Sequence, residues 1–241
     1  MITKEALYQK FAPYYDIIYA DKKYQKEVNF IDTIIKKHNQ GKSIIDLACG
    51  TGNHARLLVK KGYSVVGVDK NKQVLKLAKK KVAQAEFKQG DMRTFNLKKK
   101  FDAVLCLFTA INYNLTMANL VKSLQNFKRN LKEGGVIIFD SPLHSPQTYM
   151  SADFLPQDVI TLYVNRDINK IREVLIYWIS KKNKKIKVLK DIHQIRFYSL
   201  KELSAAIQKA GLKPKTYWDF SLTQKKGRRM VLVCTPSNGA K

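Results

Sequence analysis

Residues 43–69 read SIIDLACGTGNHARLLVKKGYSVVGVD, and this stretch decides the fold class. Two buried strands are predicted by the apolar runs SIIDLA and SVVGVD, and a helix by the segment NHARLLVKKG between them. The turn that joins the first strand to the helix contains Gly50 and Gly52, which let the backbone approach a ligand at the helix N-terminus. This strand–turn–helix–strand unit is typical of a parallel sheet in an α/β domain.

The first 140 residues repeat this alternation of strands and helices. The strands are near-continuous apolar runs, as expected for a parallel sheet that helices cover on both faces. Residues 1–40 predict a helical cap that contains a cluster of tyrosines. The other predicted elements are a helix at 71–82 that begins on an Asn cap, strands at 86–91, 101–108 and 134–140, and a helix at 116–131.

The pattern changes after Asp140, where three segments alternate with a period of two residues. We expect an antiparallel insertion of about three strands over 150–197. A helix follows at 199–210, because Ser199 and Glu202 form the sequence signature of a capping box. Two final strands are predicted near 213–220 and 228–235. The whole chain, residues 1–241, is therefore expected to be one domain with a strand insertion.

The composition excludes several protein classes. No apolar run approaches the 18 residues of a membrane span, and the N-terminus does not resemble a secretory signal. The three cysteines, Cys49, Cys106 and Cys234, are far apart and form no CxxC motif, which predicts a reducing compartment and no metal cage. We therefore expect a cytoplasmic protein with no membrane partner and no bound metal.

The net charge is the unusual feature of the composition. The chain has 45 Lys+Arg against 19 Asp+Glu, a formal charge of +26, and 37 of the 45 cations are lysines. A basic surface attracts polyanions such as nucleic acid or phosphorylated metabolites. Sites that grip phosphate in a fixed geometry favour arginine, however, and these lysines are spread over every segment. The charge alone therefore does not identify a nucleic-acid partner.

Three carboxylates follow three successive predicted strands. Asp46 ends the first, Asp69 the second, and Asp91 lies in the turn after the third. The glycine pattern with Asp69 also fits a dinucleotide fingerprint, but Asp46 would repel a pyrophosphate and some 40 residues precede the loop. An ammonium near Asp46, a ribose diol on Asp69 and an adenine amine on Asp91 together describe S-adenosylmethionine.

The runs DLACGTGNH, VVGVD, FKQGDMRTF and FDAVLCLFTAINY resemble the successive motifs of class I S-adenosylmethionine-dependent methyltransferases. The opening YYDIIY, the segment DIH near residue 191 and the closing aromatic strands are most similar to the TDP-aminosugar N,N-dimethyltransferase branch. The resemblance implies a Rossmann-like seven-stranded sheet whose last strand is antiparallel. It also implies a β insertion after the fifth strand, at 150–197, that roofs the acceptor pocket.

The resemblance also implies roles for individual residues. Tyr14, Tyr15 and Tyr19 would close over the cofactor, and Leu107 and Phe108 would line the path to its methyl group. The remaining cofactor-binding candidates are Asp46, Ala48, Gly50 and Gly52 around the methionine and ribose, Asp69 and Lys70 at the ribose, and Asp91 and Met92 at the adenine.

Methyl transfer from a sulfonium needs alignment and exclusion of water, and a base only where the acceptor is a protonated amine. Tyr113, His144 and His193 are the catalytic candidates. Each also has a simpler interpretation: Tyr113 as a pocket wall, and each histidine as a structural residue. Cys49 and Cys106 are interpreted as packing residues.

Three functions are compatible with these residues. The favoured one is a methyltransferase acting on a small-molecule acceptor, anionic or phosphorylated, such as the amine of a nucleotide-linked sugar. The alternative is a nucleic-acid methyltransferase that uses the basic surface, although the segment after Phe108 lacks the Asp/Asn-Pro-Pro-aromatic turn of that class. A non-catalytic binding protein is the third. Exposed edges of the insertion could pair two copies into a homodimer.

Overall fold

The computed structural model of this chain describes residues 2–38, 41–143, 150–156, 159–182, 185–223 and 225–237. Within these ranges no helix is both long and apolar enough to cross a bilayer. The elements in chain order are β1 (Ile2–Lys4), α1 (Tyr15–Ile18), α2 (Tyr24–His38), β2 (Ser43–Leu47), α3 (Asn53–Lys60), β3 (Ser64–Asp69), α4 (Lys72–Lys81), β4 (Glu86–Gln89), β5 (Phe101–Cys106), α5 (Met117–Arg129), β6 (Leu131–Pro142), β7 (Met150–Leu155), β8 (Val159–Ile168), β9 (Ile171–Lys182), β10 (Lys185–Arg196), α6 (Leu200–Lys209), β11 (Leu212–Trp218) and β12 (Arg229–Pro236).

The main sheet has seven strands in the order β11-β12-β6-β5-β2-β3-β4. Strands β2 to β6 pair in parallel, whereas β12 is antiparallel to both of its neighbours, β6 and β11. The expected seven-stranded α/β sheet with an antiparallel last strand is therefore confirmed. Because β2 and β5 lie side by side and their onward connections run in opposite directions, the carboxyl ends of β2 and β5 form the crevice where such sheets bind ligands.

Two hydrophobic cores cover the two faces of this sheet. Alternate residues of each strand point to opposite faces, so that Ile44 packs with α2, α3 and α4, whereas Ile45 packs with α5 and α6. Both side chains are fully buried. The near-continuous apolar strands of the sequence are therefore explained by burial on both faces.

A second sheet of five strands has the order β1-β10-β9-β8-β7. The predicted antiparallel segment is present, but the expectation of about three strands is wrong, because Met150–Leu155 adds a fourth strand, paired to β8. The expectation of a helical segment at 1–40 also needs a correction. Ile2–Lys4 is a strand that pairs in parallel with β10, whose residues lie almost 190 positions further along the chain.

The N-terminal segment and the second sheet share a third hydrophobic cluster. Trp178 of β9 is buried and stacks on the ring of Phe11, with centroids 3.9 Å apart and planes 9° apart. Tyr15 and Leu7 belong to the same cluster. The segment before α2 therefore lies between the second sheet and the carboxyl edge of the main sheet.

The helix ends follow the sequence signals closely. Ser199 Oγ accepts the Glu202 N–H and the Glu202 carboxylate accepts the Ser199 N–H, so the predicted capping box of α6 is confirmed. Thr116 caps α5 in the same way, accepting the Asn119 N–H at 3.1 Å. Asn71 occupies the N-cap position of α4, but its side chain makes no cap bond.

Candidate active site

A cavity opens at the carboxyl ends of β2, β3, β4 and β5. Its walls come from the turns after these strands, from the N-terminal segment, and from the turn before α5. The lining residues are Tyr8, Tyr15, Tyr24, Asp46, Ala48, Cys49, Gly50, Thr51, Asn53, His54, Asp69, Lys70, Asn71, Gly90, Asp91, Met92, Arg93, Leu107, Phe108, Ala110, Tyr113 and Asn114.

The glycine turn after β2 forms the floor of the cavity. Ala48, Gly50 and Gly52 all have positive φ, at 68°, 55° and 78°. Gly52 also lies against α4, where an added Cβ would come within 3.2 Å of the Ala78 side chain. Glycine adopts a positive φ at low energy and has no Cβ to collide with α4, which explains why position 52, one residue before α3, is a glycine. Gly52 itself does not line the cavity, in contrast to Gly50 and Ala48.

Asp46, the last polar residue of β2, is buried at the floor of this cavity. Neither of its carboxylate oxygens has a hydrogen-bond partner in the part of the chain that the structure describes. Burial raises the pKa of this carboxyl to about 6. An unpartnered buried carboxylate is costly, so its place in a cavity wall indicates a cationic ligand group.

Asp69 ends β3 and organises the turn around itself. One of its carboxylate oxygens accepts the Gly50 N–H at 3.0 Å and the other accepts the Asn71 N–H at 2.9 Å. Burial raises the pKa of Asp69, although these two backbone donors act against the shift. Each oxygen retains a further lone pair towards the cavity, the arrangement that a ribose diol requires.

Asp91 lines the far end of the cavity, beyond β4. Arg93 holds it, because the Arg93 Nε donates to Asp91 Oδ1 at 2.8 Å and its guanidinium pairs with the other oxygen. This pairing lowers the pKa of Asp91. The neighbouring Met92 carbonyl accepts the Asn126 side chain at 3.0 Å. The Met92 N–H has no partner among the described residues.

The three predicted tyrosines occupy different positions. Tyr15 lines the cavity. Tyr19 lies behind it, with its ring centroid 4.8 Å from that of Tyr15 and 4.9 Å from that of Phe108. Tyr14 instead packs towards Trp178, at 6.1 Å. Lys70 lines the cavity and its Nζ pairs with Glu5 at 2.7 Å.

The turn after β5 brings Leu107 and Phe108 into the cavity wall. Phe108 and Thr109 both have positive φ, 58° and 66°, a strained conformation for residues with a Cβ. Asp140 supports this turn, accepting the Phe108 N–H at 2.6 Å and the Thr109 N–H at 3.1 Å. Arg229 pairs with the same carboxylate at 2.9 Å.

Two of the three catalytic candidates are in direct contact. Tyr113 Oη lies 3.1 Å from Nδ1 of His193, and Tyr113 lines the cavity. His193 itself is buried behind Tyr113 and does not line the cavity. His144 lies outside the described residues. Cys49 and Cys106 are both buried, and burial raises the pKa of each thiol well above its ordinary value.

Several lining residues were not among the sequence candidates, most notably Tyr8, Tyr24, His54 and Arg93. Tyr8 and Tyr24 were part of the N-terminal tyrosine cluster, but no spacing rule singled them out. His54 follows the glycine turn by two residues, and Arg93 follows Asp91 by two, so both lie within the quoted motifs. Proximity to a motif was the only signal that could have identified them.

Comparison with known proteins identifies the family. A sequence profile described as "Methyltransferase domain" matches residues 44–135. The chain is 30% identical over 213 residues to dTDP-3-amino-3,4,6-trideoxy-alpha-D-glucopyranose N,N-dimethyltransferase of Streptomyces venezuelae, covering 84% of this chain and 90% of that protein. The chain belongs to the class I S-adenosylmethionine-dependent methyltransferases.

Solved structures support this conclusion. The methyltransferase superposes on the crystal structure of Streptomyces venezuelae DesVI with a TM-score of 0.79 and 27% identity, covering 94% of this chain and 98% of that one. An S-adenosylmethionine-dependent methyltransferase from Clostridium acetobutylicum has the same fold, with a TM-score of 0.83 at 22% identity and coverage of 96% and 99%.

The residues of this methyltransferase fit its cofactor. S-adenosylmethionine carries an ammonium, a ribose diol and an adenine, and the cavity presents Asp46, Asp69 and Asp91 in that order along neighbouring strands. The deciding observation is Asp46, because the ammonium of the methionyl group would supply the partner that its carboxylate lacks.

Proposed function

We propose that this methyltransferase transfers methyl groups to the amino group of a nucleotide-linked amino sugar. The relative from Streptomyces venezuelae is named for that reaction and aligns with most of this chain. The basic surface suits a phosphorylated acceptor, since the formal charge is +26. The alternative of a nucleic-acid acceptor receives no support from the relatives described above.

One observation carries this proposal: a continuous hydrogen-bonded chain that ends at the cavity. Asp191 Oδ2 lies 2.9 Å from Nε2 of His193, and Nδ1 of His193 lies 3.1 Å from Tyr113 Oη. Tyr113 Oη lies 2.8 Å from Tyr8 Oη. Both tyrosines line the cavity, whereas Asp191 and His193 are buried behind them.

Such a chain suits an amine acceptor. An amine is protonated near neutral pH, and it must lose a proton before its lone pair can attack a methyl group. Burial raises the pKa of Tyr8 and of Tyr113 above the ordinary value, so neither hydroxyl holds a negative charge at neutral pH. Each can still accept one proton while it donates another, which makes them conductors of the proton rather than its destination.

The destination of the proton is His193. With Nε2–H donated to Asp191, the Nδ1 lone pair is directed at the Tyr113 hydroxyl. The proton of the acceptor ammonium passes to Tyr8 Oη, the Tyr8 proton to Tyr113 Oη, and the Tyr113 proton to Nδ1 of His193. Burial acts to raise the pKa of Asp191, but its hydrogen bonds from His193 and from backbone N–H groups hold it below the ordinary value. The carboxylate thus stays ionised and stabilises the imidazolium.

On the cofactor side, we assign the residues by their place in the cavity. S-adenosylmethionine supplies an electrophilic methyl group on its sulfonium. Asp46 would bind the ammonium, Asp69 the ribose hydroxyls, and Asp91 with the Met92 N–H the adenine. Tyr15 and Phe108 would exclude water from the methyl group. The other assigned contacts are backbone or wall contacts from Ala48, Gly50, Lys70 and Leu107. Gly52 and Tyr19 lie behind the cavity wall, and Tyr14 packs against Trp178 of β9.

We also propose that the second sheet roofs the acceptor pocket and that the N-terminal segment is its cap. The segment before α2 lies against that sheet, and Tyr8 reaches from it into the cavity. Replacement of residues 150–190 by a short Gly-Ser loop should abolish methyl transfer, whereas the cofactor contacts proposed for Asp46, Asp69 and Asp91 of the main sheet should be retained. A truncated protein that folds, binds cofactor and still turns over its acceptor at the parent rate would exclude this role.

The test of the acceptor is a transfer assay with methyl-labelled S-adenosylmethionine. The acceptors are a panel of TDP-linked amino sugars, the matched sugars with hydroxyl in place of the amine, simple amines, and bulk RNA. We expect transfer to an amino sugar and none to its hydroxyl counterpart. Labelling of RNA that survives about 0.2 M salt, with no labelling of any amino sugar, would replace this proposal by the nucleic-acid alternative.

A further inference from the structure

A charged cluster lies behind the cavity at the carboxyl end of β2, and we call Lys22, Glu27 and His54 the Glu27 cluster. Glu27 of α2 is buried, and its Oε2 lies 2.7 Å from Nε2 of His54 in the first turn of α3. Its other oxygen pairs with Lys22 Nζ. Burial acts to raise the pKa of Glu27, but the bonds from His54 and Lys22 hold it below the ordinary value.

The two basic side chains of this cluster are placed differently. Lys22 Nζ lies 4.5 Å from the centroid of the Phe108 ring and 4.8 Å from that of the Tyr24 ring, so Glu27 and two aromatic faces enclose it. His54 is also buried, but it lines the cavity. Its Nε2 is engaged by Glu27, which leaves Nδ1 as the ring nitrogen available to a ligand. His54 is therefore the member of the cluster that can bind a ligand.

The position of His54 along the cavity decides which ligand group it meets. The three carboxylates order the cofactor along β2, β3 and β4, with the methionyl group at the β2 end. His54 and Asp46 both line the cavity at that end. The methionyl group is a zwitterion: Asp46 would complement its ammonium, and a cationic donor would form a charge-assisted hydrogen bond with its carboxylate.

We propose that His54, oriented by Glu27, binds the carboxylate of the methionyl group of S-adenosylmethionine. Glu27 accepts the Nε2 proton, which turns Nδ1 towards the cavity as the second donor of an imidazolium. Glu27 is thus a positioning residue, and Lys22 balances its second oxygen. The proposal concerns the cofactor alone, so it stands or falls independently of the acceptor.

The test is a thermodynamic cycle between the protein and the ligand. Calorimetry measures the affinity of the unmodified protein and of His54→Gln for S-adenosylmethionine and for its decarboxylated analogue, which keeps the sulfonium and the amine. We expect the unmodified protein to bind S-adenosylmethionine at least tenfold more tightly than the analogue, as a charge-assisted hydrogen bond implies. In His54→Gln this preference should fall below threefold, because only the affinity for S-adenosylmethionine decreases.

Two further variants locate the effect. Glu27→Gln should reduce the preference to an intermediate value, since the imidazole keeps an acceptor but loses the negative charge that favours its protonated form. His38→Gln is the matched control, because His38 is exposed at the end of α2, and it should leave the preference unchanged. If His54→Gln lowered the affinity for both ligands equally, the proposal would be overturned, since His54 would then have a structural role or contact the ammonium.

A second measurement needs no variant. The chain has 4 histidines, so ¹⁵N-histidine spectra of the unmodified protein are simple. We expect one imidazole to shift on addition of S-adenosylmethionine and to respond differently to the decarboxylated analogue. If all four rings respond identically to both ligands, or if the unmodified protein prefers S-adenosylmethionine by less than threefold, His54 does not bind the carboxylate.

Discussion

Replacement of Asp46 by asparagine should remove a contribution to the stability of the protein that falls as the pH rises. The pKa of Asp46 is raised from 3.8 to about 6 by burial. A carboxyl with a raised pKa in the folded state favours folding below its unfolded pKa, and this contribution is lost as the pH rises through the folded value. At about 1.36 kcal/mol per pKa unit, the wild-type protein should lose roughly 2–3 kcal/mol relative to Asp46→Asn between pH 4 and pH 7.

Urea unfolding without cofactor, at intervals between pH 4 and pH 7, measures this difference for the two proteins. Any constant cost of burying the asparagine amide cancels, because the comparison uses only the change with pH. Calorimetry of the same variant should show at least about a tenfold loss of affinity for S-adenosylmethionine, since the ammonium loses a charged partner. The residue thus lowers the stability of the free protein in the pH range where it binds the cofactor.

Asp102→Asn is the matched control, and it should behave in the opposite way. Asp102 accepts hydrogen bonds from Ser43 and Lys132, and although burial acts to raise its pKa, these partners hold it below the ordinary value. This variant should be less stable than wild type at pH 7, and the deficit should stay nearly constant down to about pH 4, because the contribution of a carboxyl with a lowered pKa is lost only below its unfolded pKa of 3.8. A stability difference between Asp46→Asn and wild type that is constant from pH 4 to pH 7 would refute the reasoning.

Three further predictions follow from the cavity. Asp69→Ala removes a carboxylate that would accept two hydrogen bonds from the ribose, each worth about 1.5–3 kcal/mol. Calorimetry should therefore show an affinity for S-adenosylmethionine that is at least tenfold lower, with the fold retained; unchanged affinity would exclude the assigned role. Tyr113→Phe interrupts the path to His193, so kcat for an amine acceptor should fall by at least about tenfold while the cofactor Kd stays within twofold; an unchanged kcat would exclude the relay. Asp16→Ala removes the two hydrogen bonds, each 2.6 Å long, that Asp16 accepts from Thr51 and Lys81. The backbone amides before α2 should then exchange faster with deuterium, and the cofactor should dissociate faster. Identical exchange would show that other contacts hold the segment.

The main sheet could be predicted because its information is local. Short apolar runs predict the strands at 43–48 and 64–69, and the glycine turn marks where the first strand ends. The second of these strands, β3, spans Ser64–Asp69 as expected. The capping box of Ser199 and Glu202 is also complete within four residues. In a parallel sheet the carboxyl ends of neighbouring strands meet at one edge, so the grouping of Asp46, Asp69 and Asp91 followed from their positions at the ends of three successive predicted strands.

The rest depends on contacts between residues distant in sequence. Ile2–Lys4 is too short to show a strand pattern, and it is a strand only because β10 offers a free edge. Tyr8 reaches the cavity because Asp191 accepts the Leu7 N–H at 2.9 Å while it also orients His193. Hydrogen bonds between residues 184 positions apart leave no periodicity in the sequence. The residues proposed to bind the cofactor could therefore be predicted from their motifs, whereas the contacts that join Tyr8, Tyr113 and His193 became visible only when the N-terminal segment and β10 were brought together in space.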